Sequence, residues 1–172
     1  MSRAFLIIDM LNDFVHPNGA LYSPLSSRTI PFISEQLKRT REKNTPVFYI
    51  CDTHLERDKE FTLFPPHCIE GTWGADIIEE LKPKTGERII RKRRYSGFLG
   101  TDLDISLKEL GVTHLVITGV VTNICILYTA YDARMLGYVV TIPRDCVASF
   151  SEEAHLFALN ELEKTLGVRI TG

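Results

Sequence analysis

Short, nearly continuous apolar runs rich in β-branched residues recur along the chain as AFLIID, PVFYIC, RIIRK, HLVITGV, YVVTIP and VRIT. Runs of this length without polar alternation are what parallel strands buried on both faces require. The segments between them are long enough for helices. IPFISEQLKRTREKN places Ile33, Leu37 and Arg41 along one line despite Pro31 near its start, and GADIIEELKP reads as a helix stopped by Pro83. GTDLDISLKELG has Thr101 or Asp102 as its cap and Gly111 as its stop, and TNICILYTAYDARMLG ends in the same way at Gly137. In SEEAHLFALNELEKTLG the spacing of Leu156, Leu159, Leu162 and Leu166 predicts a stripe facing the core. Strand alternating with helix throughout predicts a three-layer α/β/α protein, a doubly wound, mostly parallel six-stranded sheet with right-handed crossovers.

Length and composition narrow this picture. At 172 residues, with no repeats, low-complexity tracts or linker-like runs, one domain over 1–172 is expected. An apolar share of 44%, a charged share of 24% and a formal charge of -2 give no electrostatic reason for a nucleic-acid or anionic-membrane partner. The N-terminal apolar run is interrupted by Asp9 and is far shorter than the roughly 20 residues of a membrane span, so a cytoplasmic protein acting on a small molecule is expected. Cys51, Cys68, Cys125 and Cys146 are scattered without a CxxC pair, which argues for separate thiols rather than a disulfide framework.

In an open parallel sheet, ligands bind beyond the carboxyl ends of the strands, so the residues that follow each strand carry the most information. Asp9 ends the first strand, where a carboxylate is costly unless it is paired or opens to a cleft; a capping role suits Asp13 better. The second strand ends in CDTH, which puts Asp52 and His54 on the same side, and Glu60 and His67 follow in a loop stiffened by Pro65 and Pro66. That oxygen and nitrogen set suits zinc, manganese or iron, while solvated or merely hydrogen-bonded histidines are the plainer reading; Cys68 either packs or adds a ligand. The third strand runs into RKRR, ordinarily a solvated face, and spacing does not choose among Arg91, Lys92, Arg93 and Arg94 for a cation that enters the cleft. The fourth ends in GVVTNIC, placing Cys125 at a helix start, where partial positive charge favours a thiolate and unpaired amides can face an oxyanion.

Taken together, IDMLNDF, DTH, FPPHCIEGTWGAD, KRRYSGFLGTDL and GVVTNICILYTAYDA, in that order, resemble the isochorismatase-like cysteine hydrolases, most of all the nicotinamidases or pyrazinamidases. The resemblance implies a catalytic set of Asp9 as base, Cys125 as nucleophile and Lys92 between them. It also implies a cis peptide between Val120 and Val121, with the amides of Val121 and Cys125 as oxyanion donors. Metal ligands are implied at Asp52, His54 and His67 with Glu60 as a fourth, and a substrate ring is implied among Phe14, Phe64, Tyr95 and Val121. The implied cofactor is a divalent cation, zinc before iron or manganese; the implied substrate is a small amide such as nicotinamide, and the implied assembly is a homo-oligomer. The chain departs from the family's usual pattern in three places: Val121 for alanine, Phe64 for tryptophan, and a short stretch from His54 to His67. Within the family the rival activities are cleavage of a vinyl ether and hydrolysis of carbamoyl substrates. Outside it, a non-catalytic redox thiol would need Cys125 but would have no use for Asp9 and Lys92.

Overall fold

A computed structural model describes residues 2–172. The six strands expected from the apolar runs form as β1 (Ser2–Ile8), β2 (Val47–Asp52), β3 (Arg88–Lys92), β4 (Val112–Val120), β5 (Val139–Pro143) and β7 (Arg169–Thr171). A seventh, β6 (Val147–Ala148), pairs with Gly119 and Val120 of β4; two residues are too short to display a period, which is why the sequence did not reveal it. The sheet order is β3-β2-β1-β4-β5-β7, and every pairing is parallel.

Successive β1 residues point to opposite faces and divide the core. Ala4, Leu6 and Ile8 pack with Leu103 and Leu107 of α4 (Leu103–Glu109), with Ala130 and Ala133 of α5 (Leu127–Met135), and with Leu159 and Leu162 of α6 (Glu152–Lys164). Phe5 and Ile7 pack on the other side, with Phe14 and Val15 of α1 (Asn12–Val15) and with Ile33 and Leu37 of α3 (Ile30–Glu42); the short α2 (Pro24–Ser27) leads into α3. This is the expected three-layer arrangement. The order in which strands are added reverses between β1 and β4, so the crevice at the carboxyl ends of these parallel strands is where a ligand belongs. There Gly119 has φ +113, and a Cβ on it would collide with the Ile8 backbone. Only glycine lets β4 approach β1 so closely. Among the described residues no helix is long and apolar enough to cross a membrane.

Two expectations fail. The helix predicted over GADIIEELKP is absent, and only single 3₁₀ turns form at Trp73–Ala75 and Glu79–Leu81. The segment between them runs antiparallel to residues 10–12: Leu11 bridges Ile77, Ile78 N–H donates to Met10 C=O and Asn12 N–H donates to Asp76 C=O. Tertiary hydrogen bonds override local helix preference here. The other failure is Leu156, which is 50% exposed while Ala158, Leu159 and Leu162 are buried. At about 100° per residue the buried stripe centres on positions 158, 162 and 166, leaving Leu156 on its flank.

Away from the crevice, Arg41 fulfils its place on the α3 line by gripping Glu87 with Nε at 2.8 Å and Nη2 at 2.9 Å, and it also donates to Tyr49 Oη and Lys82 C=O. Burial alone would raise the Glu87 carboxyl, but the Arg41 guanidinium and the Lys84 amide outweigh it and hold the pKa below its ordinary value. Glu87→Gln should therefore cost about 1.5–3 kcal/mol at pH 7. With a depressed folded-state pKa, that contribution is complete above the unfolded value of about 4.3 and disappears as pH falls through the folded one. Urea denaturation at pH 7 and pH 3 should show the gap between wild type and variant closing at the lower pH.

Candidate active site

Three strand ends deliver the charged core of the site, and the segment after β4 brings the cysteine to it. Asp9 follows β1 with φ +52, a left-handed conformation that is uncommon for a non-glycine residue and tends to occur at functional sites. Its N–H donates to Ile50 C=O, and its Oδ1 accepts from Asp52 N–H at 2.8 Å, so the carboxylate is aimed into the crevice. Asp52 and Lys92 are paired residues at the ends of β2 and β3. Lys92 Nζ contacts Asp52 Oδ1 at 2.5 Å, Asp9 Oδ2 at 2.9 Å and Cys125 Sγ at 3.4 Å. The structure thus selects Lys92 from the basic run: it is buried, whereas Arg91, Arg93 and Arg94 are not.

Cys125 precedes the α-helix instead of beginning it. The α-helix begins at Leu127, and the cysteine sits inside a π-helical turn spanning Thr122–Ile126, a feature frequent at functional sites. Two side-chain contacts tie this turn to the start of α6: Thr122 Oγ1 to His155 Nδ1 at 2.9 Å, and Ser149 Oγ to Asn123 Oδ1 at 2.6 Å. The Val120–Val121 peptide is cis.

The electrostatics follow from burial and mixed charge. Burial, then repulsion from Asp52, pushes Asp9 up to about 6 against the opposing pull of Lys92. Burial also works against the charge on Asp52, but Lys92, His54 and His67 outweigh it and hold Asp52 well below the usual carboxylate range. Lys92 is held well above its ordinary value by Asp52, Asp9 and Cys125 despite burial. Burial and the neighbouring Asp9 carboxylate raise the Cys125 thiol. At neutral pH the resting state is therefore thiol, carboxylate and ammonium. Asp9 Oδ2 makes no aligned hydrogen bond although it lies beside Lys92, which leaves a buried lone pair able to accept a proton.

On the other side of Asp52, single donor atoms of Asp52, His54, Glu60 and His67 all lie within 4.8 Å of one another, and all four residues are buried. His54 Nε2 is 3.6 Å from Asp52 Oδ2 and 3.8 Å from Glu60 Oε1, and His67 Nε2 is 3.8 Å from Asp52 Oδ2. Among the described residues neither ring nitrogen of buried His54 makes an aligned hydrogen bond; Nδ1 lies 3.3 Å from Asp58 Oδ2, and Nε2 is left without a hydrogen-bond donor or acceptor, which is costly unless another group takes its place. Across the whole centre, Lys92 balances one charge where Asp9, Asp52 and Glu60 can bring three. The unpaired imidazole and the excess of negative charge both fit a divalent cation held by two imidazoles and two carboxylates. The short loop therefore does bring Glu60 to this cluster.

Between cysteine and cluster lies a narrow cleft. Phe14, Phe64, Tyr95 and Val121 line it as expected, together with Asp52, Glu60, His67 and Cys125. Leu21, Ile124 and Phe150 complete the wall and went unnoticed in the sequence, where they are ordinary apolar residues in segments without period. Asp58 was also missed. Its side chain is fully buried beside His54, and the one sequence hint was its place four residues after that histidine. Asp13, expected as a cap, instead ties two loops together, accepting from Ala20 N–H at 2.9 Å and Cys68 N–H at 2.7 Å. Cys68 packs, its Sγ directed at Gly74 C=O, and it is not part of the cluster. All four cysteines are free thiols.

The isochorismatase domain model matches residues 3–172. The pyrazinamidase/nicotinamidase of Streptococcus mutans superposes with a TM-score of 0.93 at 39% identity, covering 99% of this chain and 100% of its own. The pyrazinamidase of Pyrococcus horikoshii, solved in complex with zinc, gives 0.93 at 33% identity over 99% of each chain. The N-carbamoylsarcosine amidase of Thermoplasma acidophilum gives 0.92 at 29% identity over 99% of this chain and 96% of its own.

Proposed function

Because the chain belongs to the isochorismatase family of hydrolases, we propose that it hydrolyses a small, uncharged aromatic amide, nicotinamide, to the carboxylate and ammonia. The observation that carries this reading is the lining of the cleft. Flat aromatic and aliphatic walls lie between Cys125 and the histidine-carboxylate cluster, and no lysine or arginine is among the lining residues. N-carbamoylsarcosine bears a carboxylate, and no lysine or arginine lines the cleft to receive it. A neutral pyridine amide meets no such penalty.

In the proposed reaction, Asp9 accepts the Cys125 proton as sulfur attacks the carboxamide carbon, so the thiolate forms only when there is an electrophile to take it. Lys92 holds the two carboxylates apart and keeps Asp9 ionised between turnovers. The amides of Val121 and Cys125 receive the developing oxyanion, a contribution worth about 3 kcal/mol per donor in comparable sites. Asp9 returns the proton to the departing ammonia and then deprotonates the water that cleaves the thioester. Asp52, His54, Glu60 and His67 would hold a divalent cation, zinc by the chemistry of these donors, which when bound would supply a positive centre for the ring nitrogen.

Ammonia release from nicotinamide and from N-carbamoylsarcosine, before and after treatment with a chelator, tests this reading. Turnover of nicotinamide that is at least 100-fold the more efficient, falls with chelation and returns on adding Zn²⁺ is expected. Turnover of the carbamoyl acid alone would overturn it.

A further inference from the structure

The basic run after β3 supplies Lys92, yet Arg93 and Arg94 have no part in the proposed reaction. Both converge on one buried carboxylate. Asp58 Oδ2 receives Arg93 Nε at 3.2 Å and Nη2 at 3.1 Å, and Asp58 Oδ1 receives Arg94 Nη1 at 3.0 Å and the Glu60 amide at 3.1 Å. The same Oδ2 lies 3.3 Å from His54 Nδ1. Asp58 thus touches two of the four residues of the candidate metal cluster without belonging to it.

We propose that Asp58 is a positioning residue for the metal centre: it holds the proton of His54 on Nδ1, leaving Nε2 bare toward the cation, and sets Glu60 through its backbone amide. The inference rests on reading His54 and Glu60 as metal ligands. The two nitrogens of an imidazole point in opposite directions, so a carboxylate beside Nδ1 dictates which of them is free to bind. Asp58 is not among the clustered donor residues, and its oxygens instead accept from Arg93, Arg94 and the Glu60 amide. Arg93 and Arg94, each about half exposed at the side chain, hold the Asp58 carboxylate in place. His67 is oriented in a parallel way, its Nδ1 lying 2.8 Å from Pro65 C=O, so both histidines turn Nε2 inward.

The test is Zn²⁺ affinity, measured by competition with a chromophoric chelator in the absence of substrate. Asp58→Asn presents an amide that can donate to Nδ1 and so favours the wrong tautomer; Asp58→Ser keeps an acceptor for the Glu60 amide but cannot reach the ring. Each folded variant should bind Zn²⁺ about 10–100-fold more weakly than wild type, and the Co²⁺-loaded variants at saturation should show displaced d–d absorption bands. Tight binding by wild type with unchanged affinity and bands in both variants would overturn the role of Asp58 alone. Failure of the wild type to bind Zn²⁺ would remove the metal reading and this inference with it. Independently of any variant, ¹⁵N shifts of the Zn²⁺-loaded wild type should show His54 protonated at Nδ1 and metallated at Nε2, and the reverse assignment would overturn the proposal.

Discussion

Cys125→Ala should abolish amide turnover, lowering kcat by about 10⁴-fold or more, because in the proposed reaction the remaining groups have no electrophile-bonding atom to activate. The loss should be chemical and not structural. Removing one buried sulfur from a residue only 4% exposed costs about 1 kcal/mol, and the core around it is otherwise untouched. Cys51→Ala and Cys146→Ala are the controls. Both thiols are buried and pushed upward by desolvation, and neither lines the cleft, so their removal should leave kcat within about twofold. Steady-state ammonia release together with mass spectrometry of quenched wild type, in which a covalent acyl adduct on Cys125 should appear, checks both halves. Retained turnover in Cys125→Ala would remove the nucleophile from the mechanism.

The second large effect is expected from Lys92→Met. The substitution keeps the aliphatic volume but strips the ammonium that lies between Asp9 and Asp52, both essentially inaccessible to solvent. Breaking a buried ion pair in this way typically costs 3–5 kcal/mol, so the chelated variant should lose about that much stability at pH 8 while turnover falls below detection. The sign of the pH dependence distinguishes this from simple loss of packing. Burial and Asp52 already raise Asp9, and without Lys92 its folded pKa rises further above the unfolded value of about 3.9. A group raised in the folded state is destabilising above its folded pKa, and the penalty is relieved as pH falls below it. Urea midpoints at pH 8 and pH 5 should therefore converge toward wild type at the lower pH. A pH-independent deficit would contradict the electrostatic account.

How legible the site was depended on how it is encoded. Asp9, Asp52, Lys92 and Cys125 stand at or just past strand ends, and a parallel sheet gathers its strand ends at one edge, so short motifs already pointed to a shared location. His54, Glu60 and His67 were readable as metal-binding types, yet nothing local could show that the loop after β2 folds back to bring them within 4.8 Å of Asp52. Asp58, Leu21 and Phe150 carried no comparable signal, because Asp58 is fixed by Arg93 and Arg94 from beyond β3, and Leu21 and Phe150 belong to a wall assembled from unrelated segments.

The chain by itself determined the alternation of strands and helices, the parallel pairing that follows from buried apolar runs, and the residue types available at the carboxyl edge. These are consequences of local period and of the chirality shared by all such sheets. Tertiary structure alone decided which of four adjacent basic residues enters the crevice, that residues 76–78 bond to residues 10–12 instead of forming a helix, and that Cys125 sits in a π-helical turn. Each of those outcomes depends on partners many residues away, and on whether a charge or amide finds them in the folded chain.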